Sequence, residues 1–288
     1  GSVSASGVQL EAPHDDDYLT MKNSGGGSVL WSRRYDGLAN SFDRVTGLKV
    51  DRAGNVIVTG WASGRSGGTE HVHQDFVTIK YSPAGDQLWL ATYDSPDHRQ
   101  DFAYALAVDT AGNVYVTGQA PAAGAAGWDC TTVKYAPNGA QQWVATYGSL
   151  GGGAKGFDIA VDAAGNPCVV GGAHTADYRG YAFVVQYDSG GQQRWLATYS
   201  DATGRAGFFN RVSVDRAGHI IVGGSTAREA ANTYDDLLVK YDPSGNRLWT
   251  ACYNHGRYVG YSTGIGLVLD PAGNIYALSP SATGNLGS

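Results

Sequence analysis

An all-β protein built from five copies of one four-stranded antiparallel unit is the fold class that the sequence predicts, and three observations predict it. A cassette opening on an aspartate recurs at Asp51, Asp109, Asp162, Asp215 and Asp270. A tryptophan recurs in register with it, at Trp31, Trp89, Trp143, Trp195 and Trp249. The segments between turns are rich in Val, Thr, Tyr and Trp, while charged residues make up only 16% and Gly numbers 42, a composition of strands and tight turns rather than helices.

The repeat is the first element to justify. In its clearest copy it reads Asp51-Arg-Ala-Gly-Asn55-Val-Ile-Val-Thr-Gly60, then Asp75-Phe-Val-Thr-Ile-Lys80-Tyr81, then Leu88-Trp89-Leu-Ala-Thr-Tyr93. Successive copies lie 52 to 58 residues apart. Each supplies four short strands, as in Phe102–Val108, Val114–Thr117, Cys130–Tyr135 and Gln142–Tyr147. Tight turns of the type Asp-x-Ala-Gly-Asn and Pro-x-Gly join them, with Gly and Asn expected to supply positive φ.

Five openings are present, but the fifth cassette stops near Ser279, after its first half. The missing half stands at the other end, as Asp17-Tyr-Leu-Thr-Met-Lys22 followed by Leu30-Trp31-Ser-Arg-Arg-Tyr35. The expectation is a five-bladed β-propeller, one domain over 17–288. Its last blade would be closed by pairing 17–35 with 261–279, which removes two sheet edges. Residues 1–16 are expected to be a tail, with Gly1-Ser2 resembling a cloning remnant.

The cassette resembles the bacterial β-propeller repeat family SBBP, whose motif is similar to VDxxGNVYVTG…DFVTVKYDxxGxxLW. The resemblance runs from about Asp17 to Ser279 and implies a propeller scaffold while saying little of function. The family name implies seven blades; the cassette count here supplies five.

Repeated residues belong to the scaffold. The five tryptophans are expected to pack between blades. Lys22, Lys80, Lys134 and Lys240 share one position, with Gln186 at the fifth, and are expected in structural ion pairs or on a solvated face. The turn aspartates are expected to act as turn acceptors. Cys130, Cys168 and Cys252 replace ordinary strand residues and are expected as three unpaired core thiols.

Function is sought instead on the unlike loops. In a four-stranded meander both tight turns lie at one end and the longer, variable connections at the other, where binding residues concentrate. There the candidate catalytic residues are His98, Asp101 and His255, as acid/base groups. Candidate ligand-binding residues are Asp43, Arg44, Trp61, Arg99, Arg205, Phe208, Phe209, Arg257, Tyr258 and Tyr261, a mixture of aromatic platforms and charged groups. No metal is expected. His71 and His73, alternate residues of an extended segment, are the weak candidates for one. No cofactor is expected, because no dinucleotide, phosphate-loop or nucleophile-elbow fingerprint appears.

The leading reading is one asymmetric pocket for a small organic molecule or glycan. It is compatible with a cofactor-independent, metal-independent lyase, cyclase or hydrolase. The alternative is a non-catalytic carbohydrate-binding, adhesion or scaffold propeller. A formal charge of -6 and pI near 5.6 exclude a nucleic-acid backbone as the expected partner. No apolar run reaches membrane-spanning length. A monomer is expected, with a secreted or periplasmic location favoured over a cytoplasmic one.

Overall fold

The computed structural model describes residues 2–9, 16–37, 42–65, 72–122, 127–148, 152–177, 180–200, 207–227, 234–253 and 266–278. Among them there are strands and turns and no helix. The chain divides into two compact units, Gly1–Tyr147 and Gly148–Ser288.

The first unit holds three antiparallel sheets. One is three-stranded, in the order β1 (Ser2–Gln9), β2 (Asp16–Asn23), β3 (Val29–Tyr35). The next runs β4 (Arg44–Val50), β5 (Val56–Arg65), β6 (Val72–Tyr81), β7 (Gln87–Tyr93). The third runs β8 (Phe102–Val108), β9 (Val114–Pro121), β10 (Trp128–Tyr135), β11 (Gln141–Tyr147). Chain order and sheet order coincide, so each complete sheet is an up-and-down meander, the blade unit of a β-propeller.

The second unit repeats the pattern with β12 (Gly153–Val161), β13 (Pro167–His174), β14 (Gly180–Tyr187) and β15 (Gln193–Tyr199). A further sheet has β16 (Phe209–Val214), β17 (Ile220–Ala227), β18 (Tyr234–Tyr241) and β19 (Arg247–Tyr253). A short pair, β20 (Gly266–Leu269) and β21 (Ile275–Leu278), ends the described chain.

Within each unit the core lies between neighbouring sheets. In the first unit Tyr18 and Trp31 pack on Val56, Val58, Val77 and Ile79, and Ile57, Phe76 and Trp89 pack on Leu106, Val116 and Val133. In the second, Val170, Ala182 and Val184 meet Phe209, Val222 and Leu237. Both faces of the middle strands are covered, which is why β9 is buried along its whole length and why these strands read as apolar runs. Each large aliphatic side chain so buried contributes roughly 1.5–3 kcal/mol.

The repeated residues build two devices. In the first turn, Asp51 Oδ1 accepts from the N–H groups of Ala53 and Asn55 at 3.0 and 2.8 Å, and Asn55 Nδ2 donates to Asp51 Oδ2 at 2.8 Å. The same set recurs at Asp109, Asp162 and Asp270. At Asp215 the His219 ring replaces the amide, at 2.9 Å. Only the glycine of this turn has positive φ, as at Gly54 with 82°. The asparagine was expected to share that role; instead it closes the turn through its side chain.

The second device is the tryptophan. Trp31 Nε1 donates to Pro83 O at 3.1 Å, Trp89 Nε1 to Pro137 O at 3.0 Å, and Trp195 Nε1 to Pro243 O at 3.2 Å. Each acceptor belongs to the Pro-x-Gly turn of the next sheet, whose glycine presents its bare Cα to the indole. A Cβ added at Gly85 would lie 2.8 Å from Trp31 Cγ. The expected packing of tryptophan between blades is therefore found within each unit.

The lysine position is structural as well. Lys80 is buried and reaches Asp51 at 2.9 Å; Lys240 reaches Asp215 at 3.2 Å.

Two expectations need correction, the tail and the cysteines. Within the first unit the second edge of β2 is taken by β1, and within the second unit β20 pairs with β21. The 1–16 segment is thus not merely a tail, since Ser2–Gln9 is a strand. The physical reason is loop closure, since β1 lies close to β2 in the sequence and joining the two costs little entropy. Finally, all three cysteines are free and two are buried, but Cys252 is exposed rather than in a core.

Candidate functional site

Antiparallel order places the tight turns of every complete sheet at one end and the longer connections at the other. The carboxylates and aromatic rings described next lie at that longer-loop end of the first unit.

Two clusters of three carboxylates stand there. Asp17, Asp36 and Asp43 each offer an oxygen within 4.8 Å of the others, and so do Asp75, Asp94 and Asp101. They are the same construction repeated. The first member opens the third strand of a cassette, the second follows the fourth strand, and the last precedes the next sheet. Backbone bonds repeat as well: Asp43 N donates to Asp16 O at 2.7 Å and Asp101 N to Gln74 O at 2.6 Å. Asp43 also accepts from the N–H groups of Gly37 and Ser63, and Asp101 from Ser95 N at 2.7 Å.

Burial dominates the electrostatics. It pushes the Asp43 carboxyl up to about 6, against the pull of the Ser63 and Gly37 N–H groups. Burial, followed by the neighbouring Asp94 and Asp101, pushes Asp75 up to about 7. Burial pushes Asp101 to about 7 as well, against the Ser95 N–H. Beside this second cluster, His98 Nδ1 lies 2.7 Å from Asp94 Oδ2. His98 has φ of 48°, the one non-glycine positive φ among the described residues.

A row of half-exposed aromatic rings occupies the same end. Trp61 meets Phe102 edge to face at 5.3 Å between centroids, and Phe102 meets Trp128 at 5.7 Å. Arg44, exposed, is the register partner of Trp61. A groove of about 640 Å³ runs between β7 and the facing side of β10 and β11, with Tyr93, Asp94, Pro96, Pro121 and Asp129 toward its loop end. Burial pushes the Asp129 carboxyl up.

The sequence candidates divide as follows. His98, Asp101, Asp43, Arg44, Trp61 and Arg99 all fall at the loop end of the first unit. Asp101 and Asp43 are wholly buried, whereas His98 is exposed and Arg99 reaches Asp97 at 3.6 Å. Phe209 is corrected from a ligand-binding residue to a core one: it is wholly buried and packs on Tyr199 at 6.1 Å. Phe208 packs edge to face on Phe157 at 5.7 Å. His73 is half-buried at the start of β6. His71, Arg205, His255, Arg257, Tyr258 and Tyr261 lie outside the described residues.

Sequence reasoning missed the carboxylate clusters, because their members come from three separated segments. The available signal was repetition: Asp17, Asp36 and Asp43 recur 58 positions later as Asp75, Asp94 and Asp101. A second groove, of about 430 Å³, lies at the tight-turn end of the second unit, lined by Asp215, Arg216 and Asp270.

No curated protein matches the sequence. Among solved structures, a protein of unknown function from Bacteroides caccae is similar at 14% identity, covering 87% of this chain and 82% of that one, with a TM-score of 0.46. A putative gluconolactonase is similar at 13% identity over 97% of this chain and 86% of that one, TM-score 0.43. An endo-arabinase from Bacteroides thetaiotaomicron is similar at 10% identity over 81% of this chain and 87% of that one, TM-score 0.43. Likeness at this level carries no argument about function. Residues 97–120 match the family described as SBBP, beta-propeller repeat. They run from Asp97 through the first two strands of the third sheet, so the match covers one copy of the repeat that recurs along the chain.

Proposed function

We propose that the chain binds a small polar organic molecule or glycan at the longer-loop end of its first unit. The observation that carries this reading is the row Trp61–Phe102–Trp128, half-exposed and ending beside a groove that holds Asp94 and Asp129. Aromatic faces stack on the C–H faces of a sugar ring, and carboxylates accept its hydroxyl protons. Apolar walls with a few orienting polar groups are the usual composition of a small-ligand site. Phe102 and Trp128 open β8 and β10 and Trp61 lies within β5, so rigid sheets position the three rings.

A second reading, acid/base catalysis, is favoured by one observation, the contact between exposed His98 and Asp94. In that reading His98 exchanges the proton and Asp94 orients its ring. Asp101 is too deeply buried to touch a substrate and serves to hold the 94–101 loop through Ser95.

The test is ligand binding by saturation-transfer NMR and tryptophan fluorescence, over a panel of neutral and acidic oligosaccharides. Binding is expected, with Trp61→Ala and Trp128→Ala each weakening it about tenfold, equivalent to about 1.4 kcal/mol. A wild-type protein that binds nothing in the panel, or variants that bind as well as wild type, overturn the reading.

A further inference from the structure

The two carboxylate clusters differ in one respect that decides their chemistry. In the first, Arg34 donates through Nε to Asp17 Oδ2, and its Nη2 lies 3.9 Å from Asp36 Oδ2. The cluster thus carries its own cation. The equivalent position beside the second cluster is Thr92, next to Tyr93 as Arg34 is next to Tyr35. In the second cluster His98 Nδ1 reaches Asp94, at 2.7 Å, while Asp75 and Asp101 have no ion-pair partner among the described residues, although both are at least nine-tenths buried. Asp75 Oδ1 and Asp101 Oδ1 also accept no hydrogen bond there. Like charges packed together and cut off from water are costly unless something neutralises them.

We propose that Asp75, Asp94 and Asp101 bind one hard divalent cation of the calcium class, which does in the second cluster what the Arg34 guanidinium does in the first. The donors are all carboxylate oxygens, the ligand type that such ions select, and waters complete the six to eight positions that calcium takes. The orphaned oxygens of Asp75 and Asp101 supply donors not committed to the protein. A bound ion would tie the start of β6, the 94–101 loop and the start of β8 together, and would fix Asp94 at the edge of the groove. The inference does not rest on the ligand-binding reading, because it concerns the ion alone.

Calorimetric titration of chelator-treated protein with calcium chloride, with no sugar present, tests it, alongside melting in EDTA and in calcium at neutral pH. One calcium per chain is expected, with a rise in melting temperature of roughly 5 °C at saturating ion. Asp75→Asn should abolish the binding and the calcium-dependent rise. Thr92→Arg is the second variant. It should place the first cluster's own cation in the second, so that calcium binding is lost while the melting temperature in EDTA rises above that of the wild type. Equal melting of wild type in EDTA and calcium with no heat of binding overturns the proposal. Undiminished calcium binding by Thr92→Arg, or binding of zinc without calcium, overturns it equally.

Discussion

The glycines of the Pro-x-Gly turns show how a single residue joins two sheets. Gly85 has φ of 91°, and its missing side chain leaves the room that Trp31 fills, with Cγ 2.8 Å from where a Cβ would be. Gly27 has nearly the same φ, 87°, but nothing within 4 Å of that point. The pair therefore separates backbone strain from packing. Gly27→Ala is expected to cost about 1 kcal/mol, the strain of a left-handed conformation alone. Gly85→Ala is expected to cost about 3 kcal/mol or more, because the indole must also move. Urea denaturation of both variants measures the difference; equal losses would mean that the Trp31 contact does not hold the sheets together. These residues were readable in advance because they repeat. The carboxylate clusters were not, since no short window of sequence contains one, and Phe209 was misread because an aromatic beside a loop looks the same whether it faces solvent or core.

At the scale of the element, the Asp-x-Ala-Gly-Asn turn that opens at Asp51 favours the ionised carboxylate. Burial alone would push Asp51 up, but the Asn55 amide, the Lys80 ammonium and the Asn55 N–H together hold it below the usual carboxylate range. A carboxyl lowered on folding contributes stability that is present above its unfolded value, near 3.9, and is lost as pH falls through its folded value. Asp51→Asn leaves the buried Lys80 without its anion and is expected to cost roughly 2–3 kcal/mol at neutral pH. The gap from wild type should close as pH falls below about 4. Asp270→Asn, in an exposed copy of the same turn, should change melting little. Melting curves of the three proteins between acidic and neutral pH check this, and a gap that persists in acid would show that the ion pair is not its source. Strand order, turn type and the structural role of the lysines all follow from the repeat. The asparagine's role did not, because a residue that closes a turn by hydrogen bonding and one that adopts positive φ leave the same mark in sequence.

At the scale of the molecule, the cassette count identifies the blade unit but not what completes the first sheet. The half-cassette at 17–35 leaves one edge of β2 open, and two segments have a claim on it. The C-terminal half-cassette has the matching sequence. The N-terminal segment lacks the motif but is adjacent, and it is the one that pairs, through eight residue pairs from Ser2↔Asn23 to Gln9↔Asp16. A sequence motif ranks the two by side-chain fit, whereas the ladder is made of backbone groups that any segment without proline can supply. The N-terminal segment has the advantage of proximity, because closing a short loop costs little entropy. Removing residues 1–9 is therefore expected to leave the backbone groups of β2 unpaired along one side. The truncated chain should melt several degrees lower or self-associate through the bared edge, and hydrogen exchange at the β2 amides facing β1 should speed up while that of β9 stays slow. Size-exclusion chromatography and amide exchange read both effects. A truncated chain that stays monomeric, melts as the full chain does and keeps its β2 amides protected would show that another strand takes the edge as readily. The 266–278 segment would then be the one to examine, by the same exchange experiment on a chain ending before Gly266.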